Sequence, residues 1–217
     1  MRLHIVRHGE TRHNLEGRIQ GDLLDDDLTE VGHAQAEALR RHYAHERERG
    51  LVAACVYTSP LLRARSTARR IAEGLDLPAP TELPGMREVS WGEHMGKLNE
   101  GETRADMERV LRSWDEGRLD ARAPGGETPH DAWTRAMRDL APVLERHADD
   151  TVILVGHGRI NKIVTSGLLH GDLAHMEAYP QANAGITILE GPDPWRVVAP
   201  NRTQHLVGLR ALEERVS

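Results

Sequence analysis

The chain has no phenylalanine, and aromatic residues of every kind make up only 3% of its 217 positions. Its interior must then rest on Leu, Val, Ile and Ala, packed through Ala-rich and Arg-rich helices. Hydrophobic residues total 39%, which at this length can bury a substantial core in one α/β domain, residues 1–217. There is a single cysteine, Cys55, so no intramolecular disulfide can form, and its setting, AACVY, is that of a small residue buried in a strand. No apolar run reaches the roughly 18 residues of a membrane span, and none opens the chain as a signal peptide does. The expectation is a cytoplasmic protein with no membrane partner. Positive charge is also lacking overall, with a formal net charge of −6. That argues against nucleic acid as a partner, since displacing counterions takes a net basic surface. Any anion site has to be a local basic pocket.

Several chemical signatures are missing too. The stretch from Gly92 to Lys97 is one residue too short for a P-loop, and neither Ser nor Thr follows the lysine. Gly156, His157 and Gly158 lack the third glycine of a dinucleotide fingerprint. No G-x-S-x-G nucleophile elbow occurs. Seven residues separate Cys55 from Arg63, whereas a cysteine phosphatase frames a phosphate loop of about five. No His or Cys cluster has the spacing of a metal site, so neither a metal nor a cofactor is expected.

What is present is an alternation of short apolar runs and helical patterns. Leu3, Ile5 and Val6 read as a buried strand, which leaves Arg7, His8 and Gly9 at its carboxyl end, where open α/β sheets bind ligands. Residues 10–27 are polar and loop-like. Leu28, Val31, Gln35, Ala38, Leu39 and His42 recur at helical spacing, with Thr29 as N-cap and Gly50 as stop. Residues 52–57 form a second strand, and Ser59 and Pro60 supply an N-cap and first-turn proline for a helix to about Gly74, with Arg63 in its first turn. Residues 75–130, irregular apart from a helix around 106–114, read as a cap inserted over the crevice. Residues 129–147 are helical. Residues 151–155, TVILV, read as a doubly covered parallel strand, followed by His157 and a helix marked by Ile160, Ile163, Val164 and Leu168. ITILE and WRVVA flank Gly191 to Pro194 as a closing hairpin. The fold class is a three-layer α/β/α sandwich with a mostly parallel sheet.

Three strands thus end in basic or imidazole-bearing loops: Arg7 with His8, Arg63, and His157. A neutral imidazole nitrogen can attack phosphorus while guanidinium groups hold the equatorial oxygens and stabilise the transition-state charge. Most other histidines, such as His42, His45 and His147, read as surface residues of helices, and Arg65, Arg69 and Arg70 as a solvated face.

The segments IVRHGETRHN, GRIQGDLLDDDLTEVGHAQAEAL, YTSPLLRARSTARRIAE, MREVSWGEHMG, PGGET, ILVGHG and NRTQHL occur in this order. Together they resemble the histidine phosphatase superfamily, which includes cofactor-dependent phosphoglycerate mutases and many phosphatases. The resemblance implies a phosphoglycerate mutase-like fold with His8 as the nucleophile that becomes phosphohistidine. Arg7, Arg63 and His157 would bind the transferred phosphoryl group, and Glu88 would protonate the leaving oxygen and later activate water. Asn14, Gln20 and Gly21 of the first loop, with Gly158, are the implied substrate-binding positions. His94, Met95 and Gly96 stand where many relatives read tryptophan, glutamate, glycine, and Thr128 stands where serine is common. The implied activity is hydrolysis of a small phosphorylated metabolite without a metal. A phosphoglycerate-type mutase is the alternative; the GRIQGD loop and short chain favour the phosphatase. Outside the enzymes, a phosphate-binding module that has lost turnover is the other reading, against which His8 and Glu88 both speak. Oligomeric state, including a homodimer, is left open.

Overall fold

The computed structural model describes residues 1–209. Strand β1 (Arg2–Arg7) sends Leu3 and Ile5 to one face of the sheet and Val6 to the other, and β4 (Thr151–Gly156) divides Val152 and Leu154 from Ile153 and Val155 in the same way. Strands apolar on both faces need a helical layer on each. Helices α2 (Glu30–Glu48) and α3 (Leu62–Leu75) bring Leu39, Tyr43, Ala68 and Ile71 to the Val6 face. Helices α5 (Pro129–Arg146) and α6 (Gly158–His170) bring Leu140, Ile160, Ile163 and Val164 to the Leu3 face.

Six strands follow the order β3 (Thr81–Glu82), β2 (Cys55–Thr58), β4, β1, β5 (Ile186–Glu190), β6 (Arg196–Arg202). The first four are mutually parallel, and β5 and β6 add an antiparallel hairpin beside β1. Register levels the carboxyl ends: Arg7 lies opposite Gly156, and Thr58 opposite Val155. Residues 8, 59 and 157 therefore emerge along one edge. The loop leaving β1 is pressed against the start of α2, where a Cβ on Gly9 would stand 2.6 Å from the Gly32 carbonyl oxygen and one on Gly32 would stand 2.1 Å from that of Glu10. Only glycine permits that approach.

Several expectations need correction. Strand β2 begins at Cys55, and Val52 is exposed. Helix α3 starts at Leu62 with Leu61 as its uncapped N-cap residue, so Ser59 is not a cap. The first loop contains a short helix, α1 (Arg12–Leu15), closed by a capping box between Thr11 and Asn14. The helix of the middle segment, α4, runs from Gly101 to Asp115. Residues 81–82, inside that segment, belong to the sheet. Beyond them the segment folds over the first loop, joined to it by Ile19 N–H to Lys97 O (3.0 Å), Gly96 N–H to Ile19 O (2.7 Å) and Asn99 N–H to Gly17 O (2.9 Å). The scarce aromatics are not peripheral: Tyr43, Tyr57, Trp91 and Trp114 are all buried. Cys55 is only partly buried, and His147 is no free surface residue; its Nδ1 donates to Asp150 at 2.8 Å and its Nε2 lies 3.2 Å from the Tyr57 hydroxyl and 3.6 Å from Cys55 Sγ.

Candidate active site

His8 is the first residue past β1 and is almost completely buried. Its Nδ1 lies 2.6 Å from the Gly9 carbonyl oxygen. A carbonyl only accepts, so Nδ1 carries the proton and Nε2 keeps its lone pair. Burial first, then Arg63 and Arg7, push the imidazole well below its ordinary pKa against the pull of the Gly9 carbonyl, which keeps the ring neutral at physiological pH. Asn183 fastens the segment from outside: its Nδ2 donates to the His8 carbonyl (3.1 Å) and to Asn14 Oδ1 (3.0 Å).

The ring of His157 lies with its centroid 5.1 Å from that of His8. Its Nδ1 accepts from Arg63 Nε at 3.1 Å, which leaves the proton on Nε2 to be donated to Ser59 Oγ at 2.7 Å. Burial and the nearby Arg63 hold His157 neutral as well. Arg63 also donates from Nη1 to Leu24 O (2.7 Å) and from Nη2 to Gly21 O (2.8 Å). These contacts fix its plane and leave two of a guanidinium's five donors for a ligand. Burial brings Arg63 down to about 10, opposed by Glu88, Asp25 and Asp26, so it stays cationic. Arg7 donates from Nη1 to Gln181 O at 2.7 Å, and its buried Nε meets no acceptor among the described residues.

Glu88 reaches the same crevice from beyond β3 and rests on the N-terminus of α6. Its Oε1 accepts from the amides of Val89 and Ile160 (both 2.9 Å) and its Oε2 from that of Arg159 (3.0 Å). A carboxylate offers about four lone pairs, so one position on Oε2 remains open to carry or receive a proton. The backbone behind Glu88 is held by a buried arginine. Arg135 on α5 donates from Nη1 to the carbonyls of Gly85 (2.6 Å) and Arg87 (2.9 Å), and from Nη2 to the carbonyl of Glu88 (2.9 Å) and to Glu127 Oε2 (2.8 Å). Its Nε donates to Glu127 Oε1 at 2.8 Å, so all five donors are used.

A cavity of about 170 Å³ opens among Arg7, His8, Asn14, Gln20, Gly21, Arg63 and Glu88 and is lined as well by Ile19, Trp91 and Met107. Seven of the nine expected site residues line it. His157 and Gly158 do not; His157 is fully enclosed behind Arg63 and His8, and Gly158 begins α6 beside Arg7. Asn14 is engaged with Asn183 and Thr11, while Gln20 accepts from the Thr11 hydroxyl at 3.0 Å. None of the unusual positions is part of this lining: His94 lies against Asp106 of α4, Met95 packs its side chain on Gly21, and Thr128 N-caps α5. Sequence reasoning missed Ser59, Asn183, Arg135, Trp91 and Met107. Ser59 had a signal, its place one residue past a strand in the block that supplies Arg63, and Glu127 of PGGET pointed to a partner such as Arg135.

A free imidazole nitrogen, two fixed guanidiniums and a carboxyl group around one small cavity can transfer a phosphoryl group. Comparison with known proteins agrees. The sequence profile of the histidine phosphatase superfamily (branch 1) matches residues 3–203. The chain belongs to this superfamily. Among its relatives, "Phosphoserine phosphatase 1" of Hydrogenobacter thermophilus is 31% identical over 207 residues, covering 95% of this chain and 94% of that protein. The "Metal-independent phosphoserine phosphatase" of Arabidopsis thaliana is 34% identical over 164 residues, 74% of this chain but 65% of the relative. A solved histidine phosphatase, the mycobacterial glucosyl-3-phosphoglycerate phosphatase complexed with VO3, superposes with a TM-score of 0.79 at 29% identity, covering 93% of this chain and 99% of that one. The fold is thus the phosphoglycerate mutase-like α/β sandwich of the superfamily. Among the described residues, no helix is long and apolar enough to cross a membrane.

Proposed function

We propose that this protein hydrolyses the phosphomonoester of a small metabolite in two steps, through a phosphohistidine at His8, without a metal ion. The observation that carries the reading is the state of His8, a buried neutral imidazole whose Nδ1 is tied to the Gly9 carbonyl and whose Nε2 is free in a cavity with two arginines. In the first step Nε2 attacks phosphorus, the bond from phosphorus to the leaving oxygen breaks, and Glu88 gives that oxygen its proton. In the second, Glu88 takes a proton from water, the water oxygen attacks phosphorus, and the bond from phosphorus to Nε2 breaks to give inorganic phosphate. Arg7 and Arg63 carry the charge on the phosphoryl oxygens in both. His157 supports this from behind as a neutral acceptor for Arg63 Nε. The substrate is a small phosphorylated compound, and the setting is the cytoplasm, where a chain with one cysteine and no disulfide is at home.

The test is rapid-quench labelling with a phosphomonoester carrying labelled phosphate, in excess chelator. Wild type is expected to show an acid-labile label and to release inorganic phosphate. His8→Ala is expected to lose both, with turnover down by about 10,000-fold or more. An acid-resistant label, or a rate restored only by added metal, would sink the reading. Release of an isomeric phosphomonoester in place of phosphate would make the protein a mutase.

A further inference from the structure

Part of the cavity lining is apolar. Ile19, Trp91 and Met107 form this wall, all three belong to one hydrophobic cluster with Trp114, and Trp91 is held in place by its neighbours. Its indole stacks on Trp114 with centroids 5.4 Å apart and planes 26° from parallel, and Trp114 Nε1 donates to the Ala121 carbonyl at 2.7 Å. The Arg159 guanidinium lies 5.9 Å from the Trp91 ring and 5.5 Å from the Trp114 ring, which anchors the pair further. That cation is already engaged: Arg159 pairs with Glu177, which also receives Lys162 Nζ at 2.6 Å. Neither Arg159 nor Lys162 lines the cavity; its charged lining, among the described residues, is Arg7, Arg63 and Glu88.

From this wall we infer that the leaving group of the substrate is uncharged where it meets Trp91: an alkyl or aryl alcohol with no carboxylate next to its phosphoester. The inference rests on the phosphatase reading above and narrows it. A carboxylate on the carbons beside the phosphoester would meet indole, thioether and isoleucine and stand near Glu88, and among the described residues the only cations lining the cavity, Arg7 and Arg63, are taken by the phosphoryl group. An apolar chain or ring there gains burial instead. The size fits, because a cavity of about 170 Å³ is close to the ~150 Å³ that holds a benzene molecule. A phosphoryl group and the first few carbons fill it, and a longer leaving group extends beyond. Trp91 is the specificity-determining residue on this account, since its plane is set before any substrate arrives.

The experiment compares matched pairs that differ in the carboxylate alone or nearly so: n-propyl phosphate against 3-phosphooxypropanoate, and glycerol 1-phosphate against 3-phosphoglycerate. Phosphoserine, the compound in the names of two relatives, is run beside them. Wild type is expected to favour the uncharged member of each pair by about tenfold or more in kcat/KM, because a buried charge left without a partner is costly. Met107→Lys and Ile19→Lys, each of which sets an ammonium among the apolar lining residues, are each expected to shift that ratio toward the carboxylated member by about tenfold or more, judged on whichever variant keeps the wild-type circular dichroism spectrum. Equal use of both members by wild type, or preference for the carboxylated one, overturns the inference. Labelling of His8 separates the two levels. If some phosphomonoesters label it but the charge preference is absent, only the narrower claim fails; if none does, the phosphatase reading falls and takes this one with it.

Discussion

The polar and the apolar parts of the cavity lining are built differently. Around the arginines, His8, Arg63 and His157 stand just past the level ends of three adjacent parallel strands, and each polar side chain is committed to a named partner. In the apolar part, Ile19 comes from the first loop, Trp91 from the turn after Glu88 and Met107 from α4. These segments hold one another through backbone bonds between residues 17–19 and 96–99. The sheet dictates the polar part and loop packing the apolar one. A strand end can present only the residues next to it along the chain, so its chemistry is fixed by local spacing. A wall assembled from three separate segments can be changed one residue at a time without disturbing the sheet.

Glu88 lines the same cavity, and the largest expected effect tests its part in it. Under the proposed mechanism Glu88→Gln removes the proton given to the leaving oxygen and is expected to slow alkyl phosphates by about 100- to 10,000-fold, and an activated aryl phosphate much less, since a good leaving group needs little help. Arg63→Ala acts on the phosphoryl group common to all substrates, so both types are expected to slow together, by about 100-fold or more. Steady-state rates of the two variants on the two substrates check this. Equal slowing by Glu88→Gln would break the division and send the search for the acid elsewhere in the cap.

A smaller effect sharpens it. Arg135 reaches neither substrate nor His8, yet its donors fix the carbonyls of residues 85, 87 and 88. Lysine cannot satisfy five acceptors from one nitrogen, so Arg135→Lys is expected to misplace Glu88 and slow alkyl phosphates by up to about 100-fold, as misplacement of a reacting group does. The aryl substrate and its KM should change little. Loss on both substrates in parallel would mean that Arg135 only supports folding.

The smallest effect concerns acid. Burial lowers His4 to about 3 and His205 to about 4, and burial with Arg63 lowers His8 and His157 well below 6.5. In the unfolded chain these rings titrate near 6.5. Below that pH the unfolded state binds more protons than the native one, so stability falls as pH drops from about 6.5 toward 4. Thermal melts across this range are expected to show Tm declining, and less steeply in His4→Gln. Replacing Met107 by Leu, in the apolar part of the lining, should leave the slope as it is. A flat Tm would show that the buried imidazoles are not held neutral.

Legibility in the sequence divides along the same line. The strands around Leu3 to Val6 and TVILV, the helix capped by Thr29 and the set Arg7, His8, Arg63 and Glu88 could be read because the polar residues come directly after apolar runs or within a motif. The role of Ser59 was hidden by a more common one, since a serine before a proline suits a helix start equally well. Trp91, Met107 and Asn183 carried no signal, because nothing local says that an indole in a turn, a methionine in α4 and an amide before β5 will meet around one cavity. The scarcity of aromatics misled in one respect: four of the seven present lie in the interior, where Trp91 and Trp114 fill space expected of aliphatic residues.

The register of β1 has a consequence for the timing of assembly. Leu3 pairs with Val152 on one side and with Leu189 on the other, so the strand that leads into His8 is synthesised long before either of its neighbours. Until those neighbours leave the ribosome, β1 has nothing to pair with, and contacts this distant in sequence form slowly. A chain halted before Asn183 holds His8 without the Asn183 and Ala184 contacts that fasten its carbonyl, so a residue near the start of the chain takes its final setting only when nearly all of the chain has been made.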